Sequence, residues 1–203
     1  MAAKRTTRRS RQQPTRRTGS RKTSRTPTGA RAPRGRARAA RGPASAAARD
    51  RALKEDVLHL LQGRGAHVEF ERAVAGMPAD LQGRKPVGVP YTPWQQLEHL
   101  RICQRDILDY VRDPHYVERN WPDDYWPDET PPSPGAWDDA VRAFEADRRA
   151  FLDLVAKADL LARVPHDPKG PTILHEALLV ADHNAYHLGQ LMVLRRALGT
   201  WTD

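Results

Sequence analysis

Residues 181–192 read ADHNAYHLGQLM. His183 and His187 are four apart, so on a helix both imidazoles lie on one face, about one turn from each other. Val180, Leu191 and Leu194 continue that face, which turns both histidines toward an apolar interior. Histidines in such a seam are costly unless they are hydrogen-bonded or ligated. Two helix-borne imidazoles at this spacing reach a single ion, and a purely structural pair fits the same spacing. The stretch belongs to a run rich in Ile, Leu, Val and Met. Thr172 is its predicted N-cap, its last turn is near Leu198, and Gly199 stops it.

Working outward, residues 94–108 read WQQLEHLRICQRDIL. Thr92 is a good N-cap and Pro93 suits the first helical position. Trp94, Leu97, Leu100, Ile107 and Val111 then form an apolar stripe to about residue 112. His99 falls close to that stripe. A histidine there is, taken alone, an ordinary core residue; facing His183 and His187 across a bundle it becomes a third ligand. Trp137, Val141, Phe144, Phe151 and Val155 mark another helix, opened by Ser133 or Gly135, with Arg148 interrupting its stripe. Residues 48–62 place Leu53, Val57, Leu60 and Leu61 at helical spacing, and a short helical piece spans about 67–76. No stretch alternates as a strand. Four amphipathic helices joined by loops predict an all-α protein, a four-helix bundle over residues 47–203.

In a bundle, metal sites are assembled from side chains on facing helices. Three neutral imidazoles suit one divalent ion (Zn, Ni, Mn or Fe) and leave positions open for water or substrate. Glu98, Asp106 and Asp182 are candidates to support the histidines, each read singly as an ordinary solvent-exposed helix acid, and Gln190, one turn beyond His187 on the same side, is a candidate to reach a metal-bound water. Cys103, one turn after His99, reads as a buried structural thiol. The proline-rich connection 113–136 is too long for a plain link. Its Trp121, Tyr125 and Trp126 are expected either to wall the metal pocket or to plug the bundle at its far end.

Ahead of the bundle, residues 1–46 contain no Leu, Ile, Val, Phe, Tyr or Trp and are expected to be a disordered basic tail. Residues 1–49 carry 16 Lys or Arg and no acid, whereas residues 50–203 hold 18 basic residues against 25 acids. The net charge of +9 therefore describes neither part. The tail suits weak contact with nucleic acid or another polyanion, and the lack of aromatics among its charges argues against base stacking. One cysteine excludes an internal disulfide and favours a cytoplasmic setting. No apolar run is long enough to span a membrane, and the basic start has no apolar stretch of the secretory kind.

WQQLEHLR at 94–101 and DHNAYHLGQL at 182–191 resemble the DinB-like (damage-inducible) superfamily of bundle metalloproteins, and the resemblance covers about residues 50–200. Its most specific element is a histidine in the second main helix combined with H-x3-H-x-G-Q in the fourth. The resemblance implies a four-helix bundle with one divalent metal on His99, His183 and His187. Members with known activities include thiol S-transferases that use bacillithiol or mycothiol and a thiol-dependent maleylpyruvate isomerase. The expected function is accordingly that of a metal-dependent thiol S-transferase or hydrolase acting on a small molecule, with a low-molecular-weight thiol as a second cofactor. A homodimer is a further expectation. The alternative is a non-enzymatic metal- or ligand-binding stress-response module, tethered to polyanions by its tail. The tail and the Trp/Pro-rich loop lie outside the family pattern.

Overall fold

In a computed structural model of the chain, the described residues are 43–202, with side chains from Ser45. Five α-helices occur among the described residues: α1 (Pro43–Leu61), α2 (Phe70–Val74), α3 (Pro93–Arg112), α4 (Ala136–Lys157) and α5 (Ile173–Ala197). Two single 3-10 turns, Ala79–Leu81 and Asp123–Tyr125, sit in the connections before α3 and α4. The only strand-like pairing among the described residues is one isolated bridge between Arg163 and Thr172. The expected tail falls outside the described residues apart from its last four positions, which already belong to α1. The helix starts at Pro43 rather than near Ala47, since proline fits a first turn and Ala44, Ala46, Ala47 and Ala48 favour the helix that follows.

The helix boundaries follow from their caps. Thr92 accepts a hydrogen bond from the Gln95 amide at 3.1 Å, while its own amide donates to Gln95 Oε1 at 3.1 Å, a reciprocal capping box. Asp113 stands before Pro114, where the helical conformation is disfavoured, and α3 ends there. Thr172 accepts from the His175 amide and opens α5. Gly199, at φ +69°, turns the chain away after it.

The long helices α1, α3, α4 and α5 form the bundle. α3 packs against α4 and α5, and α1 packs against the same two. Arg148, which interrupts the stripe of α4, lies over the rings of Phe70 and Phe144 and pairs with Glu71, so its stem covers apolar surface.

Two apolar cores fill the bundle. One gathers Phe70, Trp94, Leu97, Leu100, Phe144 and Leu191. The other gathers Val57, Leu61, Leu108, Phe151, Val155 and Val180. Between them the facing stretches of α3 and α5 carry buried polar groups, among them Gln96, His99, Gln104 and His187. Gln104 donates to the Phe144 carbonyl at 2.7 Å and accepts from Asn184 at 3.0 Å. A polar layer at this depth is tolerated only when its members are satisfied, and that requirement locates the site. No helix among the described residues is long and apolar enough to cross a membrane.

Candidate metal centre

α3 and α5 run antiparallel, because Gln96 meets Gln190 while Gln104 meets Asn184. That register brings His99 opposite His183 and His187. The Nε2 atoms of His99 and His183 are 3.3 Å apart. The His187 ring centre is 4.5 Å from that of His99 and 4.4 Å from that of His183. The three imidazoles thus converge. His99 and His187 are buried, and His183 is half-buried.

The partners of the rings decide which nitrogens are free. Nδ1 of His99 lies 2.9 Å from the Tyr125 carbonyl, which can only accept, so Nδ1 carries the proton and Nε2 keeps its lone pair. Gln96 donates through Nε2 to Gln190 Oε1 at 3.1 Å, which leaves its own Oε1 to accept from Nδ1 of His187 at 2.8 Å. His187 Nε2 is then also a free lone pair. Burial keeps all three rings neutral. It lowers the pKa of His99, against the carbonyl bond that raises it. Burial, and then repulsion from the neighbouring rings, pushes His183 down to about 4 and His187 down to about 3.

The His99 and His183 donors fit a divalent ion. Two nitrogens each about 2.1 Å from one ion stand roughly 3–3.5 Å apart, and the His99–His183 separation meets that spacing. Each outward Nδ1 of His99 and His187 is held by an oxygen, the usual support of a metal-bound histidine. His99, Cys103 and His183 form a donor group whose ligand atoms all lie within 4.8 Å of one another; His187 is not part of that group, although its ring centre is 4.5 Å from that of His99. The Cys103 sulfur is 3.6 Å from both nitrogens of His99, which places it over the ring face rather than along either lone pair. Burial, with the nearby Asp106 charge, pushes its thiol up to about 12.

The 113–136 connection borders the centre. Trp126 stacks on His99 at 3.9 Å, and Tyr91 stacks on the other side of Trp126 at 4.1 Å. The loop is held by Asp106, whose carboxylate accepts from the hydroxyls of Tyr116 (3.0 Å) and Tyr125 (2.7 Å) and lies 3.4 Å from Arg119. Tyr125 therefore serves twice, with its hydroxyl on Asp106 and its carbonyl on His99. Trp121 points outward, 71% exposed, and touches only the Tyr125 ring among the described aromatics.

The other supporting residues divide. Glu98 is tied to Arg101 by two hydrogen bonds of 2.7 and 2.8 Å and does not serve a histidine; a guanidinium one turn away outcompetes a neutral ring for a carboxylate. Asp182 is exposed on the outer side of α5, where its charge acts on His183 only through space. Gln190 Oε1 accepts from Gln96, and Gln96 in turn meets His187, so Gln190 joins the histidine layer by way of Gln96. Gln96 and Tyr91 were not singled out from sequence. Gln96 lies one turn before His99 on the same face, and that spacing is the signal that marks it.

No curated protein and no solved structure matches the chain. Residues 62–191, which include all three histidines, match the family model of the DinB superfamily. The chain belongs to the DinB superfamily.

Proposed function

We propose that this chain holds one divalent cation on His99, His183 and His187 and acts as an enzyme on a small molecule, either transferring a low-molecular-weight thiol to an electrophile or carrying out hydrolysis. The observation that carries the reading is the pair of Nε2 atoms 3.3 Å apart in a buried layer. The Nδ1 of His99 is turned away to an oxygen, as is that of neighbouring His187. A bound ion supplies Lewis acidity, which makes a nucleophile available near neutral pH.

The chain's own residues do the rest. The Tyr125 carbonyl and Gln96 keep His99 and His187 in the tautomer that presents Nε2. Trp126 covers one face of His99 and keeps water from it. Beside His187 an apolar hollow of about 270 Å³ is lined by Val89, Tyr91, Tyr186 and Val193, with Gln96 and Gln190 as its polar groups. Apolar walls with a few polar groups suit a small organic substrate.

The test has two parts. Chain purified under mild conditions is analysed for metal by plasma mass spectrometry, and is then screened for conjugation of thiols to electrophiles and for ester and amide hydrolysis, with His183→Ala as control. About one ion per chain, lost in the variant, together with turnover that follows metal content, supports the reading. Metal without turnover favours the non-enzymatic binding module, and absence of metal from the intact chain removes both. The basic segment 1–46 is proposed to contact polyanions weakly, and such binding should weaken steeply with salt.

A further inference from the structure

His99 and Asp106 are seven residues apart on α3, and Glu176 and His183 are seven apart on α5. Because the helices are antiparallel, Asp106 and Glu176 both lie two turns from the histidines in the same direction, about 10 Å along the groove. There the groove opens into a cavity of about 510 Å³. Its walls include the rings of Tyr110, Tyr116 and His166, and its carboxylates include Asp106 and Glu176.

The carboxylates are not equivalent. Asp106 is satisfied by two tyrosine hydroxyls and by Arg119. Asp167, at the rim, accepts from the Lys169 amide at 2.9 Å, and Glu118 is exposed. Glu176 is only 5% exposed as a residue, no hydrogen bond or ion pair to its carboxylate occurs among the described residues, and its oxygens, unlike Nδ1 of His166, are not sealed from the cavity. It lines the cavity all the same. Burial raises its pKa, with only neighbouring His175 acting the other way. A buried carboxylate without a partner is costly, and a cation in the cavity removes that cost.

The rings add a second, independent feature. Tyr110 meets Tyr116 edge-on at 5.0 Å and His166 edge-on at 4.5 Å, and Tyr116 and His166 are 5.3 Å apart. Three mutually touching rings beside a carboxylate form the kind of wall that attracts an organic cation to its π-faces. The Nδ1 of His166 is itself buried without a hydrogen-bond partner.

We propose that this cavity binds an alkylammonium group, with Glu176 as its counter-ion and the Tyr110, Tyr116 and His166 rings as its walls. The site is formed by protein groups alone and does not depend on the metal reading.

The full chain, metal-free and metal-loaded, is titrated calorimetrically with choline and with its neutral isostere 3,3-dimethylbutan-1-ol. Choline is expected to bind at least about tenfold more tightly than the isostere in both forms. Glu176→Gln should weaken choline by about tenfold and leave the isostere unchanged. Tyr110→Leu should also weaken choline, and it carries the test if Glu176→Gln does not fold by circular dichroism. Equal affinity for choline and the isostere, no saturable choline binding, or full affinity in the folded variants would each overturn the proposal. So would displacement of choline by equimolar Mg2+, which would mark an inorganic cation site instead. None of these readouts uses turnover, so the cavity and the metal centre succeed or fail separately.

Discussion

The indole of Trp126 lies flat on the imidazole of His99, with ring centres 3.9 Å apart and planes 5° from parallel. A loop residue thus covers a residue of the α3 core, while the adjacent Tyr125 carbonyl orients the same ring through Nδ1. Covering and orienting are separable. Trp126→Ala should cost about 1–3 kcal/mol of stability, because the indole is half-buried, and should change substrate affinity far more than metal content. Thermal melts, metal analysis and substrate titration check this; a variant that loses its metal first would make Trp126 a structural support of the ion site instead.

The donor set is separated by single substitutions. His99→Ala, His183→Ala and His187→Ala are each expected to lower metal affinity by more than tenfold, whereas Cys103→Ala should leave it within a few-fold. The basis is the Cys103 sulfur lying over the His99 ring face rather than along a lone pair. Competition with a chromogenic chelator measures the affinities. Loss in Cys103→Ala with retention in His187→Ala would shift the assignment to the His99, Cys103 and His183 group.

Gln96 acts on the centre through His187. Gln96→Leu removes the acceptor from Nδ1 of His187 and frees the ring to turn or change tautomer. Metal affinity should fall about 10–100-fold while helix content stays unchanged. Gln96→Glu, which keeps an acceptor, should recover most of the loss. Equal damage from both substitutions would point to packing alone.

Asp106 fastens the 113–126 part of the loop to α3. Asp106→Ala removes acceptors from two tyrosine hydroxyls and should cost about 2 kcal/mol or more, since hydrogen bonds to a charged acceptor are the stronger kind. Limited proteolysis should then cut between residues 113 and 126 sooner than in the parent chain. Unchanged cleavage there would show that ring stacking alone holds the loop.

Glu176 predicts a pH dependence. Its folded pKa is raised above the ordinary value of 4.5, so the unfolded chain gives up this proton first. The contribution to stability is full below about pH 4.5 and is lost as pH rises through the folded value. Glu176→Gln removes that loss. Without added cation the variant should melt higher than the parent at pH 7, and the two curves should converge below about pH 4.5. A lower melting temperature for the variant at pH 7 would mean that the carboxylate has a stabilising partner.

The sequence by itself determined what depends on local geometry. Thr92 with Pro93, Thr172 and Gly199 mark helix ends because capping and left-handed turns need those residue types at those positions. The four-residue spacing of His183 and His187 sets one face of α5 because the helix repeats every 3.6 residues. The bundle class follows from the same periodicity once helices must bury their apolar stripes together, whereas the meeting of His99 with that pair waits on the antiparallel register of α3 and α5.

Only the tertiary structure decided what depends on contacts between distant segments. Nothing local distinguishes Trp126, which stacks on His99, from Trp121, which points outward; a turn at Asp123–Tyr125 separates their directions. The support of His99 comes from a backbone carbonyl, which every residue carries and no side chain announces. Glu98 had the right residue type nearby, but Arg101 holds its carboxylate, and Gln190 gives its amide oxygen to Gln96. Glu176 looks in sequence like any acid in a first helical turn. It becomes a buried charge because α3 and the tyrosines of the loop close over it, and burial without a partner is a property of the folded surroundings.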